Sequence, residues 1–324
     1  MPAFPRTATS ARPSWRAWSF LQGFQSGDEV AHGLSFAAAA SVILITAFLA
    51  LELYRNSVLT REKFGWAFLF TKVWDPVAGQ FGALPFIYGT VVSSAVALSI
   101  AIPLGVGAAI FLAELAPARL SAVLTFLIEL LAAVPSVIFG LLGIFILVPV
   151  LRAAEPILRG VLGWAPLFQG PFYGVSLLSG GVVLAIMIVP FIISISREVI
   201  LTVPGDQREA ALALGATRWE TTWKVVVPNA RKGITGSVFL ALARSLGETM
   251  AVTMVIGNDP KINASLFAPG YSIAAVIANE FTEATGDLYP SALIELGLVL
   301  FGLTIIINGM ARLLVESTMS KGSA

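Results

Sequence analysis

Six apolar runs, near residues 34–53, 87–112, 122–150, 178–197, 234–257 and 291–312, divide this chain. Each is about as long as a helix that crosses the hydrocarbon of a bilayer. Backbone polar groups in lipid must bond within their own segment, so runs of this length are read as helices. Charge is correspondingly sparse: 12% of residues are Asp, Glu, Lys or Arg, against 57% hydrophobic. The expected fold class is all-α, a polytopic membrane protein with six transmembrane helices. A formal net charge of +1 gives no sign of nucleic acid. The chain has no cysteine, which excludes disulfides, thiolate chemistry and a cysteine zinc site. His32, the one histidine, precedes the first run and reads as interfacial. No catalytic or metal-ligating set stands out. A G-x-x-x-x-G-K-[ST] loop is absent, so any ATP that drives the protein would be hydrolysed by another subunit.

The first run lacks a small-residue cleavage site and reads as a span rather than a signal peptide. Six spans put both termini on one side. A cytoplasmic amino terminus places Arg6, Arg12, Arg16, Arg119, Arg197, Arg208, Arg218, Lys224, Arg231, Lys232, Arg312 and Lys321 inside, leaving the poorer set of Arg55, Arg61, Lys63, Lys72, Arg152, Arg159 and Lys261 outside. The excess of inner basic residues favours that orientation. Residues 1–30, rich in Pro, Ser and Arg, read as a flexible cytoplasmic tail, in which Trp15 to Phe24 could lie on the membrane as an amphipathic helix. Residues 31–316 form the transmembrane domain and 317–324 a cytoplasmic tail. In the first outer loop, 54–86, Trp66, Phe68, Phe70 and Trp74 suggest a segment lying in the interface.

The longest polar interruption lies at 204–232. Asp206 can cap a short helix that Gly215 ends, and Thr217-x-x-Glu220 fits a capping box for a second helix. Pro228 is expected to stop that helix and Asn229 to cap the next span. The first short helix exposes Ala210, Ala211, Leu212, Ala213 and Leu214. Such a face suits a partner's groove or a fold back onto the bundle, and periodicity leaves both open.

Two spans carry charge. In span three, Glu129 reads as snorkelling or binding a neighbouring helix rather than as a transport residue. In span five, Arg244 stands at membrane depth, and Glu248 follows one turn later, so the two are expected to pair. Ser237, Ala241, Arg244, Glu248 and Ala251 follow a 4-3-4-3 spacing, a small and polar stripe facing a bundle or a water path. A structural bridge would waste desolvation that leucine avoids, so a pathway role is favoured. A guanidinium fork matches the oxygens of an oxyanion such as phosphate.

Glu209-Ala210-Ala211, Gly215 and Val225-x-Val227-Pro228 resemble the EAA loop of ABC-importer permeases. The resemblance implies a coupling helix that docks on an ATPase through Glu209, Ala210, Ala211, Leu212, Gly215 and Pro228. The stretches Arg244 to Asn258, Glu129 to Gly140 and Phe81 to Gly89 are similar to the phosphate-transporting members of that family, which carry Ala where Ser245 stands. What this implies is a type I ABC importer permease fold and uptake of inorganic phosphate, with Arg244, Glu248, Ser237 and Thr249 on the substrate path. It further implies a sister permease, PstA, two copies of the ATPase PstB, which bind ATP and Mg, and an external phosphate-binding protein, PstS. This chain would hold no cofactor and do no covalent chemistry, in the inner membrane with both termini cytoplasmic. Two alternatives stand beside it: a permease for sulfate or molybdate, and an ATP-independent anion transporter or channel.

Overall fold

The computed structural model describes residues 16–320, and side chains from 30 to 313. The expectations for residues 1–15 and 321–324 lie outside the described residues. The described backbone is helical, with two isolated bridges and no strand ladder. In chain order the helices are α1 (Arg16–Asn56), α2 (Val58–Phe64), α3 (Ala67–Phe70), α4 (Leu84–Ile110), α5 (Ala118–Ala132), α6 (Ser136–Leu142) and α7 (Val148–Leu162). There follow α8 (Leu177–Leu201), α9 (Gly205–Ala213), α10 (Arg218–Thr221), α11 (Val227–Gly247), α12 (Met250–Val255), α13 (Ile273–Glu280) and α14 (Leu288–Ser320).

The chain divides into two compact units, residues 1–52 and 53–324. The described part of the first lies on α1, which begins within the expected amino-terminal tail at Arg16 and runs on to Asn56. From Leu34 to Leu51 it is apolar all round, as a lipid-facing helix is.

Five segments among the described residues are long and apolar enough to cross a membrane: 30–56, 84–115, 136–162, 177–201 and 288–313. The expected span 234–257, which carries Arg244 and Glu248, is not among them; it falls on α11 and α12, and α11 also takes in Arg231 and Lys232 before it. The expected span 122–150 is divided at Pro135: α5 ends at Ala132, and a fresh helix starts at Ser136 and runs on to Leu162. Proline disfavours a helical conformation in the residue before it, which accounts for the joint.

α8 is the most buried span and the centre of the second unit. It packs closely on α4, because α4 presents a small residue at every fourth position. Gly89, Ser93, Ala97, Ala101, Gly105 and Ala109 are all buried. A Cβ at Gly105 would sit 2.8 Å from Ile192, and one at Gly181 of α8 would sit 2.5 Å from Val96. Small residues on one stripe let two backbones approach, which in lipid is a main source of helix association.

Wide turns recur beside prolines. Five-residue π-turns at Phe111–Leu115, Gly143–Leu147 and Thr222–Val226 stand just before Pro117, Pro149 and Pro228. A proline lacks the N–H and crowds the carbonyl four residues back; a widened turn moves that carbonyl aside. Pro228 therefore does not stop a helix as expected. Helical backbone runs unbroken from Arg218 to Gly247.

The segments 54–86 and 258–290 are folded rather than laid flat. Phe68 and Trp74 enter a core with Phe81, Phe86 and Tyr289, whereas Trp66 and Phe70 are exposed. Glu280 accepts hydrogen bonds from Trp74 Nε1 at 2.9 Å and the Tyr289 hydroxyl at 2.6 Å. Burial among these groups pushes the Tyr271 hydroxyl up to about 12. The loop after α12 lies on the start of α8, where Leu177 N–H donates to the Ala268 carbonyl at 3.0 Å and Leu178 N–H to that of Leu266 at 2.9 Å.

Candidate functional site

Two polar regions of the second unit carry the residues singled out by sequence. The first is the α9 loop. Asp206 lies inside the first turn of α9 rather than capping it, and Pro204 takes the cap position. The other end is closed. Gly215 has φ +89°, its N–H donates to the Leu212 carbonyl at 2.9 Å, and Ala216 N–H donates to that of Ala211 at 3.1 Å. This pair of bonds is the Schellman arrangement, which needs the left-handed residue that glycine supplies.

The capping box forms as expected. Glu220 N–H donates to Thr217 Oγ1 at 3.2 Å, and Thr217 N–H donates to Glu220 Oε2 at 3.0 Å. The Thr217 backbone bond, followed by the Thr217 hydroxyl and Lys224, holds the Glu220 carboxyl below its usual range.

What sequence reasoning missed is how the loop is clamped. Arg208 Nη2 and Nε donate to Glu114 Oε1 at 2.8 and 3.2 Å. The same guanidinium donates to the carbonyl oxygens of Ile200, at 2.9 Å, and Val203. One side chain thus ties α9 to the ends of α4 and α8. Asn229 is not a cap; its Nδ2 donates to Gln207 Oε1 at 2.7 Å and ties α9 to α11. A signal was present in the acidic Glu114 at the end of span two and the basic Arg208 after span four, but nothing in the spacing pairs them.

The face of α9 has no cover among the described residues. None of its residues is buried, and Leu214 is 90% exposed. Glu209, Ala210, Ala211 and Leu212 share this short helix, and Gly215 closes it. Pro228 stands apart in the first turn of α11, beside the Asn229 tie. Trp219 and Trp223 meet edge to face at 5.6 Å and are also exposed.

The second region is the end of α11. The expected continuous helix through Glu248 is not formed. α11 ends at Gly247, Glu248 is extended with ψ 128°, and α12 starts at Met250. With the helix broken, one-turn spacing no longer brings Glu248 to Arg244, and the two make no ion pair among the described residues. Glu248 Oε1 instead accepts from Ala251 N–H at 3.4 Å, and Thr249 Oγ1 donates to the Gly247 carbonyl at 3.3 Å. Arg244 is exposed, with its guanidinium 5.9 Å from the Phe191 ring centre.

The expected stripe is also divided. Ser237 and Ala241 are fully buried, and Ser237 Oγ lies 2.7 Å from Ser196 Oγ of α8. They form the packing face of α11, together with Ser245, while Arg244 lies outside it. The structure therefore brings Arg244, Glu248 and Thr249 to one broken joint and leaves Ser237 at a helix contact. Irregular backbone at membrane depth persists only where protein covers it or water reaches it. Glu129 is exposed on α5 with no ion pair among the described residues.

Residues 101–319 match the family described as binding-protein-dependent transport system inner membrane component. The chain is 48% identical to a phosphate transport system permease protein PstC of Mesorhizobium japonicum, over 90% of this chain and 91% of that protein. Proteins of the same description from Xylella fastidiosa and Haemophilus influenzae are each 46% identical, over 86% of this chain and 87% and 89% of theirs. The solved inward-facing MetNI methionine ABC transporter overlaps loosely, with 17% identity, a TM-score of 0.49, and coverage of 70% of this chain and 93% of that one.

Proposed function

The chain belongs to the family of inner membrane components of binding-protein-dependent transport systems, and from that premise we propose that it is the permease subunit of an ABC importer for inorganic phosphate. It is a multi-pass inner-membrane protein with the all-α fold of that family. The observation that carries the substrate is the near full-length likeness to phosphate permeases, at 48% identity.

In this reading the partners are a sister permease of the PstA kind, two PstB-like ATPases and a PstS-like external binding protein. The exposed face of α9 meets an ATPase, with Glu209, Ala210, Ala211 and Leu212 as its contact and Gly215 fixing the helix end. ATP and Mg reside on the ATPases, where hydrolysis supplies the driving force. The clamp formed by Arg208 and Asn229 passes a push on α9 to α4, α8 and α11 together, so access alternates by movement of packed spans rather than by bending of the loop. Arg244, at the uncovered edge of α11, supplies a guanidinium to the phosphate oxygens, and Glu248 and Thr249 shape the joint beside it. Ser237 acts by fixing α11 to α8. The termini and the α9 loop lie in the cytoplasm, with the permease domain at 31–316 and short tails outside it.

Reconstitution with the partner subunits tests the reading. Phosphate, delivered by the binding protein, is expected to raise ATP hydrolysis and to accumulate in proteoliposomes. Stimulation by sulfate or molybdate instead, or phosphate flux without ATP, would sink it. Orientation is checked separately with single cysteines in intact cells: position 217 should be shielded from an impermeant thiol reagent and position 263 should react.

A further inference from the structure

A cavity of about 720 Å³ opens beside α14 at the level of Glu295, and nothing in the transport reading uses it. Arg61 and Glu295 lie at its head, with Trp66 exposed at the rim. Glu295 is nine-tenths buried, and its Oε2 has no hydrogen-bond partner. Arg61 Nε, 3.6 Å from that oxygen, is likewise buried without one. The guanidinium is held in place elsewhere: it donates to the Tyr54 carbonyl oxygen and stacks 3.5 Å from the centre of the Tyr54 ring. Thr60 beside it is fixed to α14, its N–H and hydroxyl donating to Ser291 Oγ at 3.2 and 3.0 Å. The two charges thus form a loose ion pair at 3.6 Å, with no hydrogen bond to either of these atoms. Buried polar atoms left in that state carry a desolvation cost that a suitable ligand would remove.

Below the charges the walls are apolar. From Glu295 they continue along α14 through Leu298, Val299 and Leu303 to Ile306. At helical rise that is about 16 Å, close to half of the hydrocarbon core of a bilayer. A groove one leaflet deep with a cation and an anion at its head is the negative of a phospholipid. A water-soluble ligand has no use for such a trough, and a neighbouring spanning helix needs one about twice as deep.

We propose that this groove holds one phospholipid of the ethanolamine class. Its phosphate accepts from Arg61, its ammonium donates to the Glu295 carboxylate, and its acyl chains lie along Leu298 to Ile306. An anionic glycerol headgroup would satisfy Arg61 but set negative charge against Glu295. A choline ammonium has no N–H to donate.

The test reads bound lipid rather than uptake, so its outcome is independent of the substrate. The assembled transporter is placed in bilayers of equal ethanolamine, choline and glycerol phospholipid, stripped with mild detergent and weighed by native mass spectrometry. One ethanolamine lipid per complex should be retained, enriched about tenfold over choline lipid, the worth of one charge-assisted hydrogen bond. Glu295→Gln should erase that preference. Leu298→Trp, which fills the groove and leaves the charges alone, should expel lipid of every class, and it carries the test if the first variant fails to assemble. Equal retention of the three lipids by the wild type, preference for the glycerol lipid, no retained lipid at all, or unchanged enrichment in the Leu298→Trp complex would each overturn the proposal.

Discussion

The α9 loop and the joint between α11 and α12 are both polar interruptions in an apolar chain, yet they are bonded in opposite ways. At α9 each device is complete: a capping box, a Schellman closure, an arginine with four acceptor contacts and an amide tie. At the joint the helix stops without a backbone capping bond, its last carbonyl taking only the Thr249 hydroxyl at 3.3 Å, and Arg244 is free of any ion pair among the described residues. A segment that transmits force gains from having every polar group committed within the chain. A segment that receives an anion gains from keeping donors uncommitted, since a donor already bonded must be released before it can bind.

Substitutions at the two regions should therefore fail differently. The largest effect is expected at the joint. Arg244→Gln should lower phosphate uptake about 10- to 100-fold, the loss of one or two charge-assisted hydrogen bonds, while the complex still assembles. Arg244→Lys keeps charge without the fork and should fall between. Because Arg244 and Glu248 are not paired, Arg244→Gln with Glu248→Gln should not recover transport; uptake near the wild-type rate in the double variant would remove Arg244 from the path.

At the clamp the failure should be mechanical. Arg208→Ala leaves Glu114 largely buried and alone, a change worth roughly 3 kcal/mol of stability, discounted for the partial exposure of the pair. The sharper readout is coupling: ATP hydrolysed per phosphate imported should rise, and an unchanged ratio would mean that the clamp transmits nothing. On α9, Ala211→Asp should cut copurification of the ATPase about tenfold by placing an unpaired charge in a packed contact, with membrane insertion unaffected.

The smallest effect concerns the capping box. Its bonds depress the Glu220 carboxyl, so the ionised form supports the folded loop. That support is present at neutral pH, above the ordinary carboxylate range, and is lost as pH falls through the depressed folded value. Protection of the Thr217 amide from exchange should decline over that acid range in the wild type, and Glu220→Gln should abolish the dependence. A wild-type profile that is flat across it would show the box to be unimportant.

Fold class and the α9 loop were legible because they rest on local rules: apolar length, Gly215 at a helix end, and Thr217 with Glu220. The errors came where a residue's role depended on something distant. Pro228 reads as a stop, but a π-turn five residues wide lets the helix pass it. Glu248 reads as a helical neighbour of Arg244, but the backbone turns extended there. Phe68 and Trp74 read as interfacial, yet tertiary contacts draw them into a core. Arg208 was visible only as a positive charge, since its partner Glu114 is 94 residues away. The small residues spaced by four on α4 were legible and were overlooked, as they alternate with the larger apolar side chains that define the span.

That spacing has a consequence for motion. At Gly105 and Gly181 the stiff, β-branched side chains of Ile192 and Val96 sit directly against the facing main chain, with no second side chain between to be rearranged. Sliding one helix along the other would drive Val96 or Ile192 into main chain, so the two behave as a single beam. A beam can tilt but cannot shear, and angular change must then be taken up at its ends and in its neighbours. The non-helical joints at Val134–Pro135 and Glu248–Thr249 are the places in the spans built to give.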